Sequence, residues 1–349
     1  MSSAQPKLPL TGTTGYVGGT VLDTPYNAHP EYNFTAILRK DPPSNFKSKY
    51  PNVKVIKGSY DDAEILQSAA KDVDIVVHSG DSDHLPSLQA LVSGLLNDSQ
   101  PGKRSPKFLI HLSGTAIISD WRSPEGKLGS LNPQIWSDIS DIDSITSRPE
   151  GELHQHTDEY LQDTARTHGE KLKIAIVCPP DIYGKGHGTG KIESGLVPAY
   201  LREAKKIGAA FFGGEGQNSW SWVHIDDLAK VYERLVEEAV AGGGQADWGV
   251  EGYYFAASQE HNSLDFAREG GKILQKYGAL ETAEPKQVPL EQIDGMADDW
   301  GFWGFPHFGT YMFAANSRSK ADRAAKKLGY RPTAPGLLEP LERDFVAAL

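Results

Sequence analysis

The chain has 349 residues, 39% of them hydrophobic, with a mean hydropathy of -0.44 and a formal net charge of -11. That length supports a large core, and acidity without any basic block argues against nucleic acid or anionic membranes as partners. No apolar run approaches the ~20 residues that span a bilayer, and a single cysteine, Cys178, leaves no intramolecular disulfide and fits a reducing cytosol.

Residues Met1 to Pro9 show no basic segment followed by an apolar core, so no secretion signal is expected and the reading is a cytoplasmic protein. From Leu8 onward the chain alternates strand-like and helix-like segments, which predicts a parallel α/β sheet. Leu8–Leu10 is the first strand, and Thr11-Gly-Thr-Thr-Gly-Tyr-Val-Gly18 follows directly. Such a glycine-rich turn between a strand and a helix is a pyrophosphate site. Gly12 permits the tight turn, Gly15 lets the backbone approach a phosphate, and Gly18 lets the helix pack on the strand. The amides of Tyr16 and Val17, with Thr14 beside them, stand at the helix N-terminus, where free donors and the dipole favour an anion. Pro25 is expected to end this helix early.

Further strands are predicted at Phe34–Leu38, Val53–Lys57, Ile75–His78, Phe108–Leu112 and Leu172–Cys178, with helical stretches at Asp62–Ala70, Leu85–Leu96 and Asp226–Ala241. The second strand ends Arg39-Lys40, with no acidic residue before Asp41 to hold ribose hydroxyls. Arg39 assisted by Lys40 suits a 2′-phosphate, so NADP(H) is expected over NAD(H). After Pro179-Pro180 the pattern changes to a glycine-rich loop, Gly184 to Gly190, that lacks P-loop spacing, and then to short helices and aromatic loops. The expected organisation is a dinucleotide-binding Rossmann domain over 1–182, with returns from about 218–262, and a mainly substrate-binding lobe over 183–349.

These motifs, with Gly58-Ser-Tyr-Asp-Asp, His78-Ser-Gly-Asp, His111-Leu-Ser-Gly-Thr, Cys178-Pro-Pro-Asp-Ile-Tyr-Gly and Trp222-Val-His-Ile-Asp-Asp-Leu-Ala, resemble the extended and atypical short-chain dehydrogenase/reductase superfamily in its epimerase/dehydratase-like branch. The resemblance covers nearly the whole chain and implies a doubly wound parallel sheet with a smaller, interleaved C-terminal substrate lobe. It further implies that Ser59 and Tyr60 lie beside the adenine, that Ser79 and Gly80 approach the ribose, and that Pro179 and Ile182 meet the nicotinamide amide. A homodimer is common in the superfamily.

Reductases of the superfamily use a Ser/Thr, a Tyr general acid and a Lys at Tyr-x-x-x-Lys spacing, which places the last two on one helix face. The literal match, Tyr50-Pro-Asn-Val-Lys54, precedes the third strand and contains Pro51, so it is not the catalytic pair. The expected helix is Glu150–Thr167, where the family Tyr falls near Glu150 and its Lys near His154. The family serine falls near Gly114, with Ser113 and Thr115 as neighbours. The triad is therefore remodelled. Glu150 and His154, at i and i+4, read as a carboxylate-oriented imidazole. Thr115 is read as binding the substrate oxygen, Tyr160 is a further acid/base candidate, and Asp81 and His84 are expected to reach the pocket. Glu152, His154, His156 and Asp158 alternate in direction, and only His154 and Asp158 converge, so no metal is expected. Tyr183, Trp220, Trp222, Phe302, Trp303, Phe305 and His307 suggest a bulky apolar or aromatic small-molecule substrate. Asp226 and Asp227 read as helix-start charges and His224 as a structural hydrogen-bonding residue. Three accounts stay open: an oxidoreductase with substituted groups, a nucleotide-binding sensor without redox chemistry, and a non-redox epimerase, dehydratase, lyase or cyclase.

Overall fold

A computed structural model describes residues 5–97, 106–122, 127–296 and 307–349. In chain order its strands begin with β1 (Lys7–Thr11), β2 (Asn33–Leu38), β3 (Lys54–Lys57), β4 (Ile75–His78), β5 (Lys107–Leu112) and β6 (Trp136–Ser137). They continue with β7 (Leu172–Cys178), β8 (Asp181–Tyr183), β9 (Phe211–Gly213), β10 (Ser219–His224) and β11 (Tyr253–Phe255). The first helices are α1 (Tyr16–Ala28), α2 (Phe46–Lys49), α3 (Ala63–Ala70) and α4 (Leu85–Leu96). After them come α5 (Ile142–Thr146), α6 (Gln155–His168), α7 (Leu196–Ile207) and α8 (Ile225–Val240).

Seven strands form one sheet in the order β11-β7-β5-β4-β1-β2-β3, every neighbouring pair parallel. The strand order reverses between β1 and β4, and in open α/β sheets a ligand crevice opens beyond the strand ends at such a point. Six of the seven strands fall within a residue of the positions that periodicity predicts. The seventh, β11, is Tyr-Tyr-Phe, too short to show a period of its own. Successive side chains alternate between two cores. Leu8, Leu10, Ile75, Val77 and Val177 pack under α1 and α8, against Val21, Leu22, Leu228 and Val231. Val76, Leu109, Ile174 and Ile176 pack under α4 and α6, against Leu88, Leu91 and Leu161. Each such burial contributes roughly 1.5–3 kcal/mol relative to exposure.

Two local expectations need correction. Pro25 does not stop α1, which runs to Ala28. It lies in the last turn, where the proline forfeits one hydrogen bond. Buried Leu22 and Tyr26 hold the turn, and the His29 amide closes it by donating to Pro25 O at 2.9 Å. The predicted helix start at Glu150 is also wrong, since α6 begins at Gln155. Gly151 (φ 88°) and His154 (φ 68°) both take the left-handed conformation, which breaks the helix before its first turn.

A third apolar cluster gathers residues from the second half of the chain. Its aromatic centre includes Tyr200 stacked on Phe211 at 4.6 Å and Trp222 stacked on Phe266 at 5.6 Å. The loop Gly184 to Gly190 folds back onto α1: the Tyr16 hydroxyl donates to Gly184 O at 2.7 Å and the His187 amide to Thr20 Oγ1 at 3.1 Å. Among the described residues no helix is long and apolar enough to cross a membrane.

Candidate active site

The site grows from the turn after β1. Gly12 sits at φ 73°, and a Cβ there would collide with the backbone of Ser79 and Gly80. A Cβ on Gly18 would strike Gly12, so these two glycines are required by packing. Gly15 is the N-cap of α1 and has no side-chain cap, and no acidic residue stands in the first turn. The amide end of α1 is therefore left for an anion. Two cavities flank this turn. One is lined by Gly12, Thr14, Arg39, Ser59 and Tyr60, the other by Tyr16, Val17, Ser113, Pro179 and Ile182. An anion-binding turn between two cavities fits a dinucleotide, with one nucleoside on each side of its diphosphate.

At the first cavity Arg39 and Lys40 are exposed and form no ion pair among the described residues, whereas Asp41 pairs with Lys57 at 3.1 Å. Tyr60 fills the wall beside Gly80, whose Cβ would meet the phenol oxygen. The Ser79 hydroxyl is spent within the fold, donating to Thr11 O at 3.0 Å. Asp61 and Asp62 precede α3. The Asp62 carboxylate accepts from the Ser59 amide at 2.6 Å and makes no bond to its own helix.

Asp81 and His84, expected in the substrate pocket, are turn and cap residues. Asp81 accepts from the Asp83 amide at 3.1 Å. His84 is the N-cap of α4, accepting from the Ser87 amide at 3.2 Å, with its other ring nitrogen 3.2 Å from Asp61. Asp83, between them, contacts His154 instead. The Asp83 carboxylate lies 3.0 Å from His154 Nδ1 and accepts from the His154 amide at 3.0 Å. These two bonds hold His154 in its left-handed conformation at the head of α6 and turn its Nε2 towards Gly114, where any Cβ would crowd it. Burial alone would disfavour charge on His154, but the Asp83 charge and hydrogen bond outweigh it and hold the imidazole above its ordinary 6.5. Burial likewise pushes the Asp83 carboxyl up, and His154 reverses this, leaving it below 3.8.

Glu150 is corrected as the orienting carboxylate. It is exposed on the turn ahead of α6, and its carbonyl accepts from Arg122. The i, i+4 pair on the inner side of α6 is His154 and Asp158. Asp158 accepts from the Ser113 hydroxyl at 2.9 Å and the Tyr253 hydroxyl at 2.7 Å, and burial raises its carboxyl to about 6. The resemblance places the lysine near His154, so an imidazole stands at that position with a carboxylate one turn on, and among the described residues no lysine lines this cavity. Tyr160 is also corrected. It faces the opposite side of α6, beside Val92, Ser93 and Leu96 of α4, and cannot reach His154's cavity.

Thr115 lines the cavity, and its backbone is pinned by the Thr115 amide donating to Pro179 O at 3.0 Å and by the Ser317 hydroxyl donating to Thr115 O at 2.8 Å. Trp220 lines it too, with its indole N–H committed to Ala315 O at 2.7 Å. Tyr183 and Trp222 are corrected as pocket residues. The Tyr183 hydroxyl donates to Pro335 O at 2.6 Å, and Trp222 is stacked in the small-lobe core. His307 pairs with Asp294 at 2.9 Å, outside the cavity wall, while Phe302, Trp303 and Phe305 lie outside the described residues. His224 caps α8 by accepting from the Asp226 amide at 3.2 Å, and Asp227 fastens the tail through the Thr333 and Ala334 amides. The literal Tyr50 to Lys54 match is structural, with the Tyr50 hydroxyl buried against Asp23 at 2.8 Å.

Sequence reasoning missed Asp83 and Asp181, both in the site. Asp83 sits in a stretch of alternating polar residues, Asp81-Ser-Asp-His84, where only the turn geometry decides which side chain points inward. Asp181 heads β8 and lines the His154 cavity.

Comparison with known proteins agrees with this architecture. Residues 146–250 match the NAD dependent epimerase/dehydratase family model. The oxidase ucsJ of an Acremonium species is 27% identical over 96% of this chain and 95% of its own length. An uncharacterised Saccharomyces cerevisiae protein is 24% identical over 97% of this chain and 99% of its own. Among solved structures, the dTDP-glucose 4,6-dehydratase DesIV of Streptomyces venezuelae, crystallised with NAD, has a TM-score of 0.60 at 17% identity, covering 97% of this chain and 96% of its own. UDP-glucuronic acid 4-epimerase of Bacillus cereus, also with NAD, has a TM-score of 0.61 at 14% identity, covering 98% of each chain. The seven-stranded parallel sheet and glycine-rich turn are thus shared with these solved structures, and the stretch across α6 to α8 matches the NAD dependent epimerase/dehydratase family model.

Proposed function

We propose that the protein is an oxidoreductase that uses NADP(H) to interconvert a small apolar or aromatic carbonyl compound and its alcohol. The observation that supports this best is the Asp83–His154 pair, presented to an apolar cavity that opens from the dinucleotide turn. A nicotinamide bound beyond the amide end of α1 would supply or accept the hydride.

The chain's own residues handle the oxygen and its proton. Thr115 and the imidazole of His154 meet at the same cavity wall, on either side of Gly114. In reduction, His154 Nε2 gives its proton to the carbonyl oxygen as negative charge develops there. In oxidation, the neutral imidazole takes that proton back. Asp83 fixes the ring through Nδ1 and stabilises the imidazolium, as a carboxylate behind a catalytic histidine does. Leu112, Leu153, Leu196 and Met312 keep the cavity apolar and limit competing water. The NADP(H) preference rests on Arg39, which is free of ion pairs at the adenosine end, and on Asp41 being engaged with Lys57.

A second reading follows from His154 standing near the position of a reductase lysine, with Asp158 one turn on: the same histidine moves a proton in an elimination or epimerisation without net redox change. Titration of NADPH and NADH into the protein, followed by a panel of aromatic and aliphatic carbonyl compounds, separates the two. The oxidoreductase reading expects tighter NADPH binding and cofactor oxidation with part of the panel. Measurable cofactor binding with no oxidation across the panel moves the assignment to non-redox chemistry, and absence of binding to either cofactor defeats both.

A further inference from the structure

The His154 cavity is lined by one carboxylate residue that the chemistry above does not use. Asp181 stands at the first position of β8, in register with Trp222 on β10, and its carboxyl belongs to the cavity wall. It forms no hydrogen bond or ion pair with any described residue. Every other carboxylate around the site has a partner: Asp83 has His154, and Asp158 has Ser113 and Tyr253. Around Asp181 the wall is apolar and aromatic, with Trp220, Phe308, Tyr311 and Leu196. An isolated carboxylate in such surroundings is costly, and the absence of polar company holds its carboxyl up to about 7.

Charge bookkeeping gives the sign of the missing partner. Asp83 and His154 cancel as an ion pair. Among the described residues no lysine or arginine lines the cavity, so ionised Asp181 leaves this wall with one uncompensated negative charge. The aromatic faces of Trp220 and Tyr311, packed edge to face at 5.1 Å, favour a cation over an anion.

We infer that the substrate carries a basic nitrogen, bound as its ammonium form by Asp181 within the aromatic wall, while the reacting oxygen lies at His154 and Thr115. This rests on the oxidoreductase reading for the oxygen but not for the nitrogen, because ammonium binding requires no turnover. A substrate amine pairs with the half-buried Asp181 carboxylate and restores neutrality to the pocket. Specificity then arises by exclusion, since a neutral analogue leaves the carboxylate unpaired.

The test uses the full chain saturated with NADPH or, separately, NADP. Phenethylamine, phenethyl alcohol and hydrocinnamate are titrated calorimetrically at pH 7.5, as matched cationic, neutral and anionic probes. The amine is expected to bind about tenfold or more tighter than the alcohol, the difference that one charge-assisted hydrogen bond makes, and hydrocinnamate is expected not to bind. In Asp181→Asn the preference collapses to within threefold while NADPH and NADP affinity stay within twofold of the wild type. Asp181→Glu keeps part of the preference, and circular dichroism melts confirm that both variants fold. Equal binding of amine and alcohol by the wild-type protein overturns the inference without any variant. So does a preference that survives in Asp181→Asn. Selective loss of NADP over NADPH affinity in that variant also overturns it, because Asp181 would then serve the cofactor. Failure of the wild-type protein to bind either cofactor defeats both readings of the reaction but not this inference, and the amine preference is then read on the free protein.

Discussion

The two ends of the crevice are built by different means. At the dinucleotide turn the backbone does the binding: Gly12, Gly15 and Gly18 set a conformation, and α1 offers its amides. All of these lie within eight consecutive residues and depend on one strand and one helix. At the His154 end the proposed site is made of side chains, and they come from four separated stretches: Asp83 ahead of α4, Thr115 beyond β5, His154 at the head of α6 and Asp181 on β8. Backbone sites tolerate little substitution and bind a common ligand. Side-chain sites can exchange one residue at a time and so change chemistry on a constant fold.

The sharpest break at the backbone end is Gly12→Ala, which forces a Cβ into the Ser79–Gly80 backbone at a positive φ. Cofactor affinity is expected to fall by at least ~100-fold in calorimetric titration, given how strongly the anion site depends on that close approach. At the side-chain end, His154→Ala should lower turnover by ~10²–10⁴-fold, the usual contribution of a general acid, with cofactor affinity held within about threefold. A loss of cofactor binding in that variant would merge the two ends and remove the contrast.

Asp83→Asn is expected to have a smaller effect, ~10–100-fold on turnover, with a diagnostic change in pH profile. Reduction needs protonated His154. Its pKa in the fold is held above 6.5, so the basic limb lies above that value in the wild type and moves to lower pH when the Asp83 charge is removed. The same pair shapes stability. The raised His154 pKa gives a contribution complete below pH 6.5 and lost as pH rises through the higher folded value. The lowered Asp83 pKa gives one complete above pH 3.8 and lost as pH falls through the lower folded value. Wild type should therefore exceed Asp83→Asn most between these two pH values, in denaturant titrations run across that range.

Arg39→Ala tests the adenosine end, and a fall of about tenfold in NADPH over NADH preference is expected from losing one phosphate contact. An unchanged preference would leave Arg39 a solvated charge. The smallest effect belongs to His84→Ala, which removes the α4 cap and a contact with Asp61. It should cost ~0.5–1 kcal/mol in unfolding free energy and leave turnover unaltered.

Legibility followed the same division. Strands such as Ile75–His78 and Leu172–Cys178 are continuous apolar runs, and the turn at Gly12 to Gly18 is a local pattern, so both could be read along the chain. The acid/base pair could be read only by half. His154 was identifiable from its distance to the strand Leu172–Cys178, but its carboxylate partner was sought one turn back, at Glu150, because helix periodicity was assumed to extend that far. Gly151 and the left-handed His154 end the helix before Glu150, and the partner is Asp83, 71 residues away. Aromatic side chains were read as ligand walls without distinction, yet Trp220 lines the cavity and Trp222 packs on Phe266, two positions along the same strand.

The order of residues by itself determined a parallel α/β sheet, its strand positions and an anion-binding turn, because those depend on backbone conformation and on repeats shorter than a single element. Only the tertiary structure decided which carboxylate faces His154, that Tyr160 turns away, and that Asp181 faces the cavity without a partner. Such choices depend on how distant segments pack, and side-chain direction at a turn or helix end carries no periodic signal.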